Sequence, residues 1–354
     1  MDKREFADKN FITQKAERAE YEYHNYSEFD LEGFLFFEEN GGRFYRLPRR
    51  ILNSFSENMQ EVAMNSAGGV LRFRTNSRKL TIHCEYEYHR CSSSLSQLAD
   101  AGFDLYVKKN DEFEFVRCLY PALEDETLDM ECVISGDDEI NEYELYLPLF
   151  STIRDFDIGV LNGSIIEKTN IATPRKKLLV YGSSISQGGC ASRPGITYAA
   201  IVARKMDFEL FNCAFSGNCR GELAIADEFI KKDFDCFIYE YDHNAPNAEH
   251  LRKTHKPFFD RIRSVKKDVP IIILSRPEFN DIVPDEWVER NQIVMDTYNS
   301  AVADGDKNVY YIDLCSVFDG YTRADLSTDR VHPQDYGIGI ISEKICSVMN
   351  EIFV

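Results

Sequence analysis

Three side chains in the second half of the chain are of the types that activate a serine nucleophile. Ser184 lies in a small, hydroxyl-rich stretch, residues 182–189, that directly follows the apolar run 177–181. Asp329 and His332 are three positions apart, just before the last amphipathic segment. Serine alone is a poor nucleophile, so it needs a base within hydrogen-bond reach and a carboxylate that holds this base in the right tautomer. We therefore predict Ser184 as nucleophile, His332 as base and Asp329 as its orienting group.

Two further loops contain donors for the oxyanion that forms when a serine attacks a carbonyl. Gly217 lies in residues 214–218, after one apolar run, and Asn244 ends residues 239–244, after another. Preorganised N–H groups stabilise such a tetrahedral intermediate. The backbone N–H groups of Ser184 and Gly217 and the side-chain amide of Asn244 are thus predicted to form an oxyanion hole.

Each of these loops also has a simpler interpretation. Stretches rich in Ser and Gly after strands are often only turns, and residues 182–189 also fit a loop that binds a phosphate or a flavin. The Walker pair of Lys and Ser/Thr is missing there, which disfavours a nucleotide site. Arg193 and Arg276 follow two of the loops and could both face the site, but ion pairs with acidic residues are their predicted roles. A cysteine nucleophile, Cys190 or Cys219, is less favoured because no second histidine pairs with either as clearly as His332 pairs with Ser184.

The elements that position these loops are short apolar runs that alternate with amphipathic segments after about residue 173. Five runs are predicted as strands, at 177–181, 209–213, 236–239, 271–274 and 309–312. Five segments with helical spacing are predicted as helices, at 197–206, 222–231, 250–266, 287–302 and 336–352. Strands and helices that alternate in this way form a parallel sheet covered on both faces, with ligands at the carboxyl ends of the strands. The second half is therefore predicted to be a three-layer α/β unit.

The preceding part has a different pattern, in which short segments alternate apolar and polar residues between turns rich in Gly, Asn and Asp. Six such segments are predicted as strands, at 70–75, 79–88, 104–108, 112–119, 130–135 and 142–147. This pattern is typical of an antiparallel sandwich. At about 150 residues per domain, a chain of 354 residues predicts two domains. We place them at 1–172, an all-β sandwich with an irregular N-terminal segment, and at 173–354, the α/β unit.

Four short stretches in the second half occur in the order found in one hydrolase family. They read GSSIS at 182–186, SGN at 216–218, Asn at 244 and DRVHP at 329–333. Over about residues 176–354 the sequence resembles the SGNH (GDSL-like) hydrolases. Two positions differ from the usual pattern: Gly-Asp-Ser reads Gly-Ser-Ser at 182–184, and the Gly-x-Asn-Asp block reads Asp-His-Asn-Ala at 242–245.

The resemblance implies a flavodoxin-like α/β/α fold for the second domain. It also implies an activity among those of the family, which are esterases, carbohydrate deacetylases, thioesterases, lipases and acyltransferases. Residue by residue, it makes Ser184 the nucleophile, His332 the base and Asp329 its orienting group. It likewise assigns the oxyanion hole to Ser184, Gly217 and Asn244.

The first domain contains a second resemblance, at residues 102–106, which read GFDLY. This stretch is similar to the Gly-x-Asp-Leu-Tyr signature of a jelly-roll-like β-sandwich domain that precedes such hydrolase domains, and that domain is expected to cover or complete the substrate site. A plain strand with Phe103, Leu105 and Val107 in its own core explains the same residues. Both interpretations stay open at the level of sequence.

The composition of the chain disfavours several classes of binding partner. The formal charge of −19 has the wrong sign for binding nucleic-acid phosphates or anionic lipid. No apolar run approaches the roughly 20 residues of a membrane-spanning helix. Residues 1–5 carry mixed charge without a following apolar stretch, and the ten cysteines form no C-x-x-C pair, so a cytoplasmic location is expected. The seven histidines form only weak clusters, so neither a metal site nor a cofactor is predicted.

The sequence therefore favours a cytoplasmic serine hydrolase that forms an acyl-enzyme on Ser184 and acts on small O-acyl esters such as acetylated sugars. Acyl transfer to a second substrate uses the same catalytic residues and stays open. A protein that only binds a phosphate, a flavin or a glycan is the alternative from another class. The oligomeric state is also open, with a homo-oligomer among the options.

Overall fold

The computed structural model describes residues 16–89, 95–122, 127–169, 174–280 and 282–353. The predicted domain boundary at 172/173, the charged residues 1–5 and Cys91 lie outside the described residues. In the described ranges no helix has the length and apolar character needed to cross a membrane.

The first half is an antiparallel β-sandwich, as predicted. Its strands are β1 Tyr21–Asn25, β2 Asp30–Glu32, β3 Val70–Thr75, β4 Lys79–Tyr88, β5 Phe103–Lys109, β6 Glu112–Leu119, β7 Thr127–Val133, β8 Asn141–Tyr146, β9 Thr152–Leu161 and β10 Ile166–Glu167. One sheet has the order β1-β9-β4-β7, and the other has the order β10-β3-β8-β5-β6, with β2 beside β3. Phe73 and Leu145 from one sheet and Ile82 and Ile158 from the other are buried in a shared core.

The sandwich half also contains elements that the sequence pattern did not predict. Three short helices are present, α1 Arg49–Leu52, α2 Glu57–Ala63 and α3 Gln97–Ala101. The segment expected to be irregular contains β1 and β2, and β9 was not predicted at all. In β9 the buried residues Ile153 and Phe156 are three apart, because a register shift against β4 separates Ile153 from Asp155. This irregularity breaks the period of two by which strands are recognised.

The second half is the predicted three-layer α/β unit. Its strands are β11 Lys176–Gly182, β12 Phe208–Asn212, β13 Cys236–Glu240, β14 Ile271–Leu274 and β15 Val309–Ile312. Its helices are α4 Ser184–Gln187, α5 Tyr198–Met206, α6 Leu223–Phe229, α7 Ala248–Val265, α8 Asp285–Ala303 and α9 Asp335–Phe353. The sheet order is β12-β11-β13-β14-β15, with every neighbouring pair parallel. This is the flavodoxin-like order, and it confirms the predicted fold class.

Helices cover both faces of this sheet. Helices α5 and α9 bury their apolar residues against one face, and α6, α7 and α8 against the other. Because both faces are covered, the central strands are apolar throughout, as in residues 178–180 of β11. The strand order reverses at β11, which lies between β12 and β13, so the loops at its carboxyl end flank the crevice in which such folds bind ligands.

The two halves are in close contact beside this crevice. Arg46 from the sandwich half is fully buried, and its guanidinium donates hydrogen bonds to the backbone oxygens of Asn212 and Ala214 at the end of β12. Burial lowers the pKa of Arg46 to about 10. Gly68 lies so near Asn212 that a β-carbon at residue 68 would come within 2.6 Å of the Asn212 β-carbon. The sandwich therefore contacts the edge of the sheet at which the predicted site residues lie.

Candidate active site

Ser184, His332 and Asp329 form an unbroken hydrogen-bonded chain. Ser184 Oγ lies 2.7 Å from His332 Nε2, and His332 Nδ1 lies 2.7 Å from Asp329 Oδ2. Ser184 and His332 are both partly accessible to solvent. The sequence separates the serine from the histidine by 148 residues, and the parallel sheet brings their loops together. The arrangement can deprotonate the hydroxyl and hold the resulting imidazolium beside a carboxylate.

The turn that carries Ser184 is tight and buried around the serine. Ser184 is the first residue of α4, and Ser183 caps this helix by accepting a hydrogen bond from the Ile185 N–H. Gly188 ends the turn with φ +120°, a conformation that favours glycine. At Gly182 a β-carbon would collide with the side chain of Ser186. The two glycines therefore fit the chain into a turn that side chains would block.

A buried carboxylate, Glu240 at the end of β13, lies behind this turn. Glu240 is 0% exposed, and its Oε2 accepts hydrogen bonds from the Ser183 N–H at 3.1 Å, the Ser183 hydroxyl at 2.8 Å and the Ser186 hydroxyl at 2.7 Å. The Tyr198 hydroxyl in turn donates to Ser186 Oγ at 2.6 Å. Burial raises the pKa of Glu240, while the hydrogen bonds from Ser186 and Ser183 oppose this shift. Glu240 thus fixes the residues on both sides of the nucleophile.

The loop that carries His332 is held mainly by its own residues. Asp329 Oδ1 accepts hydrogen bonds from the backbone N–H groups of Val331 and His332, at 2.9 and 2.8 Å. The Ser327 hydroxyl donates to the backbone oxygen of His332 at 2.8 Å. Arg330 adopts φ +63°, which makes the turn tight enough for these contacts. Burial alone would raise the pKa of Asp329, but the hydrogen bonds from His332 and Val331 lower it below its ordinary value.

The three predicted oxyanion donors lie on neighbouring loops. The Asn244 side-chain amide donates one hydrogen bond to the backbone oxygen of Phe215, at 3.2 Å, so the loop after β13 touches the loop after β12. The Ser216 N–H donates to the Gln187 side chain at 2.9 Å, which ties the same loop to α4. Gly217 is exposed and has φ +71°. Their action as an oxyanion hole stays a prediction.

The GFDLY stretch joins the sandwich to the segment after the nucleophile turn. Asp104, which is 0% exposed, forms an ion pair with Arg193 at 2.6 Å and also accepts the Gly195 N–H at 2.8 Å. Tyr106 Oη accepts a further hydrogen bond from Arg193. Burial raises the pKa of Asp104 to about 6, although Arg193 opposes the shift.

The residues of this stretch divide between two roles, and the expectation that the sandwich covers or completes the substrate site stays a prediction. Phe103 and Leu105 lie in the core of the sandwich, as a plain strand predicts. Asp104 and Tyr106 instead bind Arg193 of the α/β half. The ion pair predicted for Arg193 is confirmed.

The ion pair predicted for Arg276 is wrong. Among the described residues, no carboxylate lies within 4.0 Å of the Arg276 guanidinium, and no acceptor hydrogen-bonds to it. Its Cζ instead lies 4.0 Å from the centre of the Trp287 ring. Helix α8, which carries Trp287, positions this arginine by stacking rather than by charge.

Cys190 lies beside the catalytic group. Its sulfur, the Asp329 carboxylate and the His332 ring offer donor atoms within 4.8 Å of one another. Both ring nitrogens of His332 are already hydrogen-bonded, to Ser184 and to Asp329, so a metal ion here would displace the chain that activates the serine. Burial and the nearby Asp329 raise the pKa of Cys190. The thiol is therefore protonated at neutral pH, which disfavours a cysteine nucleophile.

Comparison with protein families gives the same assignment for both halves. The family described as GDSL-like lipase/acylhydrolase matches residues 175–350. The family described as the N-terminus of SGNH-hydrolase-type esterases, which is named after the GxDLY stretch, matches residues 21–166. The chain belongs to the GDSL-like lipase/acylhydrolase family. This SGNH protein is therefore an ester hydrolase by class.

Solved structures share the arrangement of both halves. A protein from Bacteroides ovatus that is described as GDSL-like lipase superposes with a TM-score of 0.85 at 26% identity, over 94% of this chain and 98% of the other. The salicylyl-acyltransferase SsfX3 from a tetracycline biosynthetic pathway gives a TM-score of 0.73 at 19% identity, over 98% and 99%. A family two carbohydrate esterase from Clostridium thermocellum gives 0.58 at 13% identity, over 80% and 92%. No curated protein sequence matches this SGNH hydrolase.

Sequence reasoning missed the residues that support this site. Glu240 had a signal, because it is the one charged residue in the otherwise apolar run 236–240, and a buried carboxylate needs a partner. Arg46 had no comparable signal, since its partners are all backbone oxygens, two of them in its own half of the chain and two in the other half.

Proposed function

We propose that this SGNH hydrolase cleaves small O-acyl esters, with acetylated sugars as the favoured class, through an acyl-enzyme on Ser184. The observation that carries the proposal is the chain of two 2.7 Å contacts from Ser184 through His332 to Asp329. A partly accessible hydroxyl with this activation is suited to attack on a carbonyl.

The reaction proceeds in two steps, acylation and deacylation, that use the same catalytic groups. Ser184 Oγ attacks the ester carbonyl while His332 Nε2 takes its proton, and Asp329 stabilises the imidazolium. The N–H groups of Ser184 and Gly217 and the Asn244 amide donate to the oxyanion. The imidazolium then gives its proton to the leaving alcohol, which breaks the ester bond. Water repeats the sequence on the acyl-enzyme, releases the acid and restores the Ser184 hydroxyl. No step calls for a metal or an organic cofactor.

The substrate class is proposed on two grounds. The structural relatives include a carbohydrate esterase crystallised with cellohexaose, which supports a sugar as the alcohol portion. The helix that begins at the nucleophile, α4, is only four residues long, too short to form a lid over a lipid chain. A short acyl group is therefore preferred over a fatty acyl chain.

The first test is hydrolysis of an aryl acetate by the wild type, Ser184→Ala and Ser192→Ala. Ser192 is a matched control, since it lies eight positions further along the chain and its hydroxyl makes no hydrogen bond among the described residues. We expect Ser184→Ala to lose about 10⁴-fold or more in turnover, and Ser192→Ala to retain it. A fluorophosphonate should label Ser184 in the wild type. Full activity in Ser184→Ala would remove this serine from the mechanism.

Acyl transfer is a second use of the same residues, and the fold shared with a salicylyl-acyltransferase over 98% of this chain favours testing it. The measurement is the ratio of transfer product to free acid when an acceptor alcohol is added to the aryl acetate reaction. A product dominated by free acid supports the hydrolase. A product dominated by the new ester, at acceptor concentrations far below that of water, would make this protein a transferase.

A further inference from the structure

The loops after β13 and β14 hold a second group of polar side chains that the proposed reaction does not use. Arg276 lies two residues beyond β14, and His243 lies three residues beyond β13, directly before Asn244. Because β13 and β14 are neighbours in the parallel sheet, both residues lie at the edge that carries Ser184 and His332. The two side chains are thus placed beside the ester-binding position.

Arg276 is a buried cation without a direct partner. It is 4% exposed, and its Nε is buried with no hydrogen-bond partner. Across the described ranges its guanidinium forms no ion pair, although the group has five N–H donors. Leaving buried donors unsatisfied costs free energy, and more when the group is charged. Only Nε is both fully buried and without a partner, so the terminal nitrogens stay within reach of a ligand that supplies acceptors.

The acidic residues around Arg276 are engaged elsewhere. Asp242 pairs with Arg290 at 2.6 Å, and Glu278 Oε1 accepts two hydrogen bonds from Asn280, both at 2.7 Å. Each carboxylate keeps one buried oxygen without a partner, but neither lies within 4.0 Å of the Arg276 guanidinium. Both therefore stabilise the charge of Arg276 at a distance and leave its N–H groups open.

Trp287 fixes the orientation of this guanidinium. The ring centre lies 4.0 Å from Arg276 Cζ, a distance at which cation and ring attract each other. A stacked guanidinium is planar and preorganised, so it presents a fork of donors that matches the two oxygens of a carboxylate. A lysine at this position would lack both the stacking and the fork.

His243 connects this group to the catalytic centre. Its Nε2 is buried without a partner, and the ring lies against the backbone of Pro277 in the same loop as Arg276. Burial, and then the charges of Arg276 and His332, lower the pKa of His243 well below its ordinary value. The ring is therefore neutral and close enough to both Arg276 and the catalytic imidazole to feel their charges, so Arg276 lies in the neighbourhood of the catalytic centre.

We propose that Arg276 binds a carboxylate on the substrate, so that the preferred esters are O-acyl derivatives of acidic molecules, such as acetylated sugar acids. This inference rests on the proposed function, because it names the substrate class of the same site. A carboxylate supplies acceptors for two parallel hydrogen bonds from the guanidinium, and the contact with Trp287 restrains the position of that group.

The test compares an O-acetylated galacturonic acid with the matching O-acetylated galactose, which has a hydroxymethyl group in place of the carboxylate. The wild type, Arg276→Gln, Arg276→Lys and Arg220→Gln are assayed on both. Arg220 is exposed at the same sheet edge and its side chain makes no ion pair among the described residues, so its substitution removes the same charge without touching the Trp287 stack.

We expect the wild type to prefer the acidic ester in kcat/KM by about tenfold or more, which is the size of a charge-assisted hydrogen bond. Arg276→Gln should abolish this preference, chiefly through KM, and Arg276→Lys should restore only part of it. Arg220→Gln should keep the wild-type ratio. A wild type without preference, or an Arg276→Gln protein with the wild-type ratio, would overturn the proposal.

A binding measurement separates this proposal from the proposed function. Free galacturonate and galactose are titrated by calorimetry into the wild type, Ser184→Ala and Arg276→Gln, and thermal unfolding checks that each variant is folded. Galacturonate should bind the wild type and Ser184→Ala alike and bind Arg276→Gln at least tenfold more weakly, whether or not the esters are hydrolysed. Equal binding of galactose, or unchanged binding by folded Arg276→Gln, would contradict a carboxylate subsite.

Discussion

The loop of Ser184 and the loop of His332 are supported in different ways. Around Ser184, the contacts come from distant parts of the chain, among them Glu240 of β13 and the Asn212 amide, which donates to the Ser186 backbone oxygen at 3.0 Å. Around His332, the hydrogen bonds that hold the backbone of residues 327–334 come mainly from within residues 325–338. The nucleophile therefore depends on the assembled fold, whereas the base depends on a locally determined turn.

The sandwich half contributes to only one of these loops. The Gln187 side chain at the end of α4 donates to the backbone oxygen of Leu149 at 2.8 Å, and Arg193, just beyond it, pairs with Asp104. No contact of this kind reaches residues 327–333 in the described part of the sandwich. A change in the sandwich should accordingly disturb the nucleophile before it disturbs the base.

The largest loss of turnover is expected on substitution of His332. We expect His332→Ala to lower turnover of an aryl acetate about 10⁴-fold or more, because the serine then has no base. Since the loop is held through backbone groups and Asp329, the variant should unfold at nearly the wild-type temperature. The measurement is kcat together with thermal unfolding. Activity within tenfold of the wild type would assign the base to another residue.

The second-largest loss of turnover is expected on substitution of Asn244. Asn244→Ala should lower turnover about 10²-fold or more if its amide donates to the oxyanion. The control is Asn247→Ala, which removes a helix-capping amide three positions further along that bonds the His250 N–H. A loss below threefold at Asn244 would mean that another group stabilises the oxyanion.

A smaller loss of turnover is expected at Glu240, and it tests whether the nucleophile turn depends on its buried support. Glu240→Gln keeps the size of the side chain but forces an amide group among three donors, so at least one hydrogen bond to Ser183 or Ser186 is lost. We expect kcat to fall about tenfold, with KM nearly unchanged, and the midpoint of thermal unfolding to fall as well. Glu222→Gln, at an acid that binds Tyr181 and the Arg220 N–H, is the control. Wild-type kcat in Glu240→Gln would show that the turn needs no such support.

The smallest effect is expected on the folding stability and concerns Asp104, whose pKa is raised to about 6 from 3.8 by burial. The folded protein therefore binds a proton at Asp104 over a range of pH in which the unfolded chain does not. The stability that this group contributes is present in full below about pH 4 and is lost as the pH rises through about 6. The free energy of unfolding of the wild type minus that of Asp104→Asn should thus decrease between these values. A difference that grows with pH would show that the ionised pair with Arg193 outweighs the cost of burial.

The regular elements of the α/β half could be predicted because each has a local signal. A strand that is buried on both faces, such as β14, is a short apolar run, and α7 and α8 repeat their apolar residues at helical spacing. The strand β9 could not be predicted, since the register shift at Asp155 disturbs its alternation. A bulge is a property of two paired strands and leaves no clear pattern in either one.

In the candidate site, too, contacts between residues close in sequence could be predicted, and contacts between distant residues could not. Asp329 and His332 are close in sequence, so their pairing follows from a short turn. The sequence could not predict that Arg193 forms an ion pair and Arg276 does not, because both arginines follow strand-end loops in a chain rich in acidic residues. Only packing decides that Asp104 reaches the first and that none of the described carboxylates reaches the second.

By itself, the sequence determined the residue types, the order of strands and helices in the α/β half and the turn that pairs His332 with Asp329, since these depend on neighbours a few positions apart. The tertiary structure alone decided that Ser184 lies 2.7 Å from His332, that Glu240 is buried behind the nucleophile and that Arg276 is left for a ligand. Contacts between residues far apart in sequence depend on how the layers pack, and packing is a property of the whole chain.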